Sequence, residues 1–298
     1  MLIQGGVTFA ERAGLLREQA RALLSVSLST LSDDPAASAR TLASAAELAQ
    51  RVGARMLQYT ILLNLGEVCV YCGQWDSAWK QLDIPVVEPG LAYWLDLYRA
   101  MLQALTGDVE FARSWLSARP EPDPADGDFA QRAASEMQAR AIVALALGDL
   151  ERAVADGRQS IKYDPKGINV HTAINVAGRA ALWLRDLEEA RAAVGAGLQV
   201  RGRWVDAALT SLRSGIAALE GRTSEAARGY ADARSAFHAL ECDMDAALTT
   251  LDEVVLLGTA PEEEVAAARR AFTQLHAAPF LNRLNEAVNL DAEPLSPA

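Results

Sequence analysis

Only three of the 298 residues are cysteine, an odd number with two of them three positions apart. That is no disulfide framework, and it points to a reducing, cytoplasmic compartment. The first ten residues, Met1 to Ala10, lack a basic stretch followed by an apolar run and a small-residue cleavage site, which argues against secretion. Long apolar runs are missing as well. The longest, Ile61 to Val70, is interrupted by Asn64 and Glu67, and Val254 to Leu257 is far short of the roughly 20 residues a bilayer needs, so no membrane partner is expected. Basic side chains are outnumbered 28 to 39, the formal charge is −11 and the pI is near 4.9. Such a balance speaks against direct contact with nucleic acid, which needs Lys and Arg gathered on one face.

Catalytic signatures are also absent. No G-x-S-x-G, no P-loop and no G-x-G-x-x-G after a strand occurs, and His171, His238 and His276 have no metal-ligand spacing. Cys69-Val70-Tyr71-Cys72 is a C-x-x-C, yet it falls inside a helical pattern with no second pair, where small thiols usually just pack. The acidic run Glu262 to Glu264 follows Pro261 at a helix start, where it complements the helix dipole. The expectation is therefore no catalytic residue, no metal and no cofactor.

What is present is helix. Leu15, Leu16, Ala20, Leu23 and Leu24 share one helical face, as do Leu42, Ala45, Ala46 and Ala49, and the abundant Ala favours helix and close helix approach. With 51% hydrophobic residues the chain is foldable, and at this length it is either two domains or an array in which units pack on their neighbours. A punctuation recurs: Gly73 with Ala78, Gly107 with Ala112, Gly148 with Ala153, Arg185 with Ala190, and Gly221 with Ala226, with Asp34 and Ala39 as a sixth pair. From Asp34 to Gly221 the turns lie 39, 34, 41, 37 and 36 residues apart, the range of stacked helix pairs. The turn residue closes one helix in a left-handed cap, and the Ala five positions later sits where two helices cross closely.

This pattern resembles tetratricopeptide (TPR) repeats. One unit carries Leu65 and Gly66 at the family's Leu-Gly positions with Gly73 at the turn, and Pro165 stands where the family often ends its second helix. The family's first-helix Trp is missing, so the array is degenerate. The stretch from Arg51-Val52-Gly53 to Gly73-Gln74-Trp75-Asp76 and the ending Ala268 to Leu281 are similar to the helical tails of large bacterial signalling ATPases, which accompany adenylate-cyclase or LuxR-type modules. The chain would be such a tail alone, or a small relative without the rest. The resemblance implies an all-α, right-handed superhelical solenoid of about 14 helices in six or seven antiparallel pairs, with a capping helix near Phe280 to Val288. It would form one domain over residues 1–298, with the Pro- and acid-rich segment 119–128 as a loop or hinge between two halves, a second irregularity at Ile84 to Gly90, and a frayed tail from Asp291.

Counting back from each turn by TPR spacing puts Tyr71, Trp94, Leu97, Met101, Gln138, Ile142, Asn175, Arg179 and Trp183 on the concave side, an apolar and aromatic lining with few charges. It lacks the Lys and Asn set that clamps a C-terminal carboxylate. The expected function is a non-catalytic scaffold of a bacterial signalling or transcription-regulatory system, binding a protein or peptide segment through apolar anchors. The alternative is an effector sensor with a ligand pocket between its halves; the oligomeric state stays open. Arg179, four residues from both Asn175 and Trp183, would hold an acidic or carbonyl group of the partner, or else pair with a nearby acid such as Asp186 or stay solvated.

Overall fold

Five of the six punctuation residues take the left-handed conformation their positions require; the sixth, Asp34, has φ of −147° and instead caps the following helix by accepting from the Ala37 N–H, because its role is to start a helix and not to close one. In the computed structural model Gly73, Gly107, Gly148 and Gly221 have φ of 72°, 98°, 76° and 78°, and Arg185 adopts 61° without glycine's freedom. Each of the five following alanines, Ala78, Ala112, Ala153, Ala190 and Ala226, is 0% exposed, so a larger side chain has no room at any of them. At three of the turns the next residue is an Asp that caps the second helix. Asp108 accepts from the Phe111 N–H, Asp149 from that of Arg152, and Asp186 from those of Glu188 and Glu189. The Gly-Asp text is thus a stop followed at once by a start.

The structure describes residues 2–85, 89–119, 122, 130–168 and 170–292. Among them are sixteen α-helices and no strand: α1 (Leu2–Arg12), α2 (Leu16–Thr30), α3 (Pro35–Arg51), α4 (Arg55–Tyr71), α5 (Trp75–Leu82), α6 (Pro89–Thr106), α7 (Val109–Ala118), α8 (Ala130–Leu147), α9 (Leu150–Tyr163), α10 (Val170–Trp183), α11 (Leu187–Gly197), α12 (Arg203–Leu219), α13 (Thr223–Ala239), α14 (Asp243–Leu257), α15 (Glu262–Gln274) and α16 (Ala278–Ala292). The count exceeds the expected 14, and α16 spans the expected capping helix Phe280 to Val288. None of the helices is long and apolar enough to cross a membrane. The segment 119–128, expected as a dividing loop, lies outside the described residues except for Arg119 and Pro122, as do the tail beyond 292 and residues 86–88 of the second irregularity.

The chain forms two compact units, Met1–Arg99 and Ala100–Ala298, and the division falls within α6. In the first, α1 to α5 pack consecutively, each on the next, as in a helical repeat. The core runs through Ala20, Leu42, Ala45, Ala49, Ile61, Val68 and Leu82, all fully buried. Cys69 and Cys72 lie at the end of α4 as free, buried thiols, and burial pushes the Cys69 thiol up to about 12.

In the second unit α8 to α16 again pack in sequence, but alternate helices also meet. Helix α10 packs on α8 and α12, α12 on α14, α14 back on α10, and α16 on both α14 and α8. All fourteen residues of α10 are consequently buried, polar ones included. Small residues permit this density. A Cβ built on Gly178 of α10 would lie 2.7 Å from Leu212 of α12, and one built on Gly215 of α12 would overlap Leu182 of α10, so the two helices exchange a leucine for a glycine in both directions.

Candidate functional site

The first unit holds three of the expected groove residues. Tyr71, half-buried at the end of α4, donates its hydroxyl to Glu67 Oε1 at 2.8 Å, and Tyr98 is hydrogen-bonded to the same buried carboxylate. Trp94 is half-buried, stacks on Tyr98 with centroids 6.1 Å apart and meets the edge of Tyr93. Leu97, by contrast, is wholly core.

The residues expected in the second unit are all buried: Met101, Gln138, Ile142, Asn175, Arg179 and Trp183. Arg179 is 1% exposed, so it neither projects into solvent nor reaches Asp186, which is occupied as the α11 cap. Its Nε instead donates to both oxygens of Asp252 on α14, at 3.1 and 3.0 Å. The Trp183 indole N–H donates to Asp252 Oδ1 at 2.8 Å. The three side chains meet because α14 packs directly on α10, which spacing within one repeat cannot reveal.

Helix α14 repeats the device seven residues earlier. Asp245 accepts from the Trp204 indole N–H at 3.0 Å, and the Trp204 ring makes edge-to-face contacts with those of His171 and Phe237. Beside it Arg234 of α13 pairs with Glu253 and approaches Glu264 at 3.5 Å. Burial pushes the Asp252 and Glu253 carboxyls upward against the pull of Arg179 and Arg234, and it pushes Asp245, whose partner is a neutral indole, up to about 6. It also pushes His171 down to about 4, against a backbone hydrogen bond to Ile168.

These two shifts have opposite signs in stability. A raised carboxyl contributes fully below its unfolded value near 4 and loses that contribution as pH rises through about 6; a depressed histidine contributes above about 6.5 and loses it as pH falls. The stability of the natural chain relative to Asp245→Asn should therefore fall by about 3 kcal/mol between pH 4 and 7, and relative to His171→Phe it should rise by a similar amount. Urea unfolding across that range, with Arg179 and Asp252 left intact beside Asp245, measures both.

The seam reaches the surface at Trp183. Arg283 of α16 lies over its ring, the guanidinium carbon 4.0 Å from the centroid. Both line a cleft of about 270 Å³ together with Arg113 of α7, Leu145 and Ala146 of α8, and Pro279, Asn282 and Glu286 of α16. A second opening of about 340 Å³ between α12 and α13 is floored by Ala207, Ala233 and Ala236 and offers apolar surface rimmed by Arg203, Asp206 and Asp232. Among the described residues no group of three or more His, Cys, Asp or Glu is arranged to hold a metal.

The sequence reading found Trp183 and Arg179 but missed Asp245, Asp252 and Arg283. Asp245, Asp252 and Glu253 in the mainly apolar stretch 244–257 were the available signal for a buried polar face. No family model matches the chain, and neither does any curated protein.

Proposed function

We propose that this chain is a non-catalytic scaffold, a right-handed TPR-like solenoid serving a bacterial signalling or transcription-regulatory system, and that it binds a protein or peptide segment. The observation that supports it is the cleft at Trp183. Its 270 Å³ is below the roughly 300–1,000 Å³ of sites that enclose a whole small ligand. It suits one or two side chains of a longer partner whose remainder lies on the surface. The floor is held in place in advance, since the Trp183 indole is fixed by Asp252 and Asp252 by Arg179. Fixed aromatic anchors cost little entropy on binding.

A second reading, an effector sensor, is favoured by the same connection. Trp183 joins the cleft to the buried seam, so an occupant that tilts the ring would disturb Asp252 and Arg179 together. The two readings separate in one experiment. A photo-crosslinking amino acid replaces Asn282, exposed at the cleft, and, as a control, Arg228, exposed on α13. The scaffold gives an ultraviolet-dependent adduct with a discrete protein from position 282 only. A sensor gives no protein adduct but retains a small molecule in native mass spectrometry, and equal adducts from both positions would remove the cleft as the recognition point.

A further inference from the structure

We infer that Arg283, supported by Arg113, makes the cleft beside Trp183 a carboxylate-binding site that takes an acidic side chain of the bound segment. This rests on the scaffold reading and deepens it. Asp252 is a buried acid whose charge acts on Arg283. Its Oδ1 accepts from both Arg179 and Trp183, and its Oδ2 accepts from Arg179, so its hydrogen-bonding capacity is directed into the seam. Arg283 feels Asp252 and Glu286 as charges, yet makes no ion pair within 4 Å among the described residues, and its Nε is buried without a hydrogen-bond partner. The guanidinium is thus left under-satisfied inside the protein, and its charge remains to be met by an oxyanion at its other N–H donors.

Geometry adds direction. The guanidinium held over the Trp183 ring carries five N–H donors in one plane, the fork that a planar carboxylate matches. The Trp183 ring beneath Arg283 is anchored by its own indole N–H, so the fork is steadied from below. Arg113, exposed and without an ion pair among the described residues, adds a second cation to the same cleft. Against these stands one acid, Glu286, so the lining keeps an excess of one positive charge in a protein whose net charge is −11. Leu145, Ala146 and Pro279 offer an apolar wall for the methylene stem of such a side chain.

The test uses the full chain with 15N-labelled arginine and tryptophan at constant ionic strength. Three probes are titrated: an acetylated, amidated tetrapeptide with one internal glutamate, its glutamine counterpart, and free glutarate. The glutamate peptide should shift one arginine Nε–H and the Trp183 indole saturably, and the glutamine peptide should not. Arg283→Lys, which keeps the charge but loses the fork, should weaken binding about tenfold, the weight of one charge-assisted hydrogen bond. Arg113→Ala, at an exposed position that leaves the fold intact, should weaken it several-fold. Glutarate binding as tightly as the peptide keeps the carboxylate site and assigns it to a free small molecule. Absence of a saturable shift with any carboxylate, or undiminished binding in both variants, overturns the site. A protein adduct at position 282 together with that failure would leave the scaffold reading standing without it.

Discussion

Replacing Arg179 by alanine is expected to lower the stability of the second unit by about 3–5 kcal/mol, the cost of leaving a buried carboxylate without its cation. Asp252 would retain only the Trp183 indole N–H, in surroundings that already push its carboxyl upward by burial. The loss has a signature that a mere cavity lacks. With Arg179 gone, Asp252 escapes its penalty by taking a proton, so the deficit should be largest near pH 7 and shrink as pH falls toward 5. The double replacement Arg179→Met with Asp252→Leu removes both charges and should recover most of the loss. Urea midpoints for the two variants at both pH values check this, and a pH-independent deficit would show that Asp252 does not carry it. On the sequence alone Arg179 is a hook for an acidic or carbonyl group of the partner, or else locally paired or solvated, and in each of these roles its loss would leave melting nearly unchanged. Burial of Arg179 under α14 is the reason for the reversal.

The second large effect concerns the contact between α10 and α12. Leu182→Ala should cost about 2–5 kcal/mol, because this fully buried side chain fills the hollow left by Gly215. Gly215→Ala should cost about 1–3 kcal/mol for the opposite reason, its new methyl overlapping the end of Leu182. Combined, the two changes exchange volume across one contact. Their joint cost should fall below the sum of the separate ones by about 0.5–3 kcal/mol in a double-mutant cycle. Simple addition would mean that the helices separate rather than interlock.

Local features proved the legible part of this protein. Left-handed turns at Gly73, Gly107, Gly148, Arg185 and Gly221, and the buried alanine after each, were readable because a helix stop and a close crossing are decided within a few residues. One further instance escaped notice: Glu241, with φ of 57°, is followed five residues later by buried Ala246. A glutamate gives no sign of a turn, and only the surrounding fold holds it in that conformation. The site was less legible. Repeat spacing placed Gln138, Asn175 and Arg179 on a concave side; all three are buried, and α10, which carries the last two, is packed against α14 from far along the chain. Asp252 lies 73 residues from Arg179, and the pairing depends on how tightly successive helices curl, a property of the whole unit.

The return of α16 to α8, and of α14 to α10, carries a consequence for the second unit as an object of evolution and of unfolding. An array whose members touch only their neighbours behaves as a one-dimensional chain: it melts from its ends and tolerates gain or loss of a member. Here the last helix braces an early one, so no internal pair can be deleted without moving α16 off Trp183 and Arg179 off Asp252. Unit number is thereby locked, and the frayed ends that an open array would show are replaced by a single cooperative melt in which α10, buried along its whole length, exchanges its amide hydrogens only when everything opens.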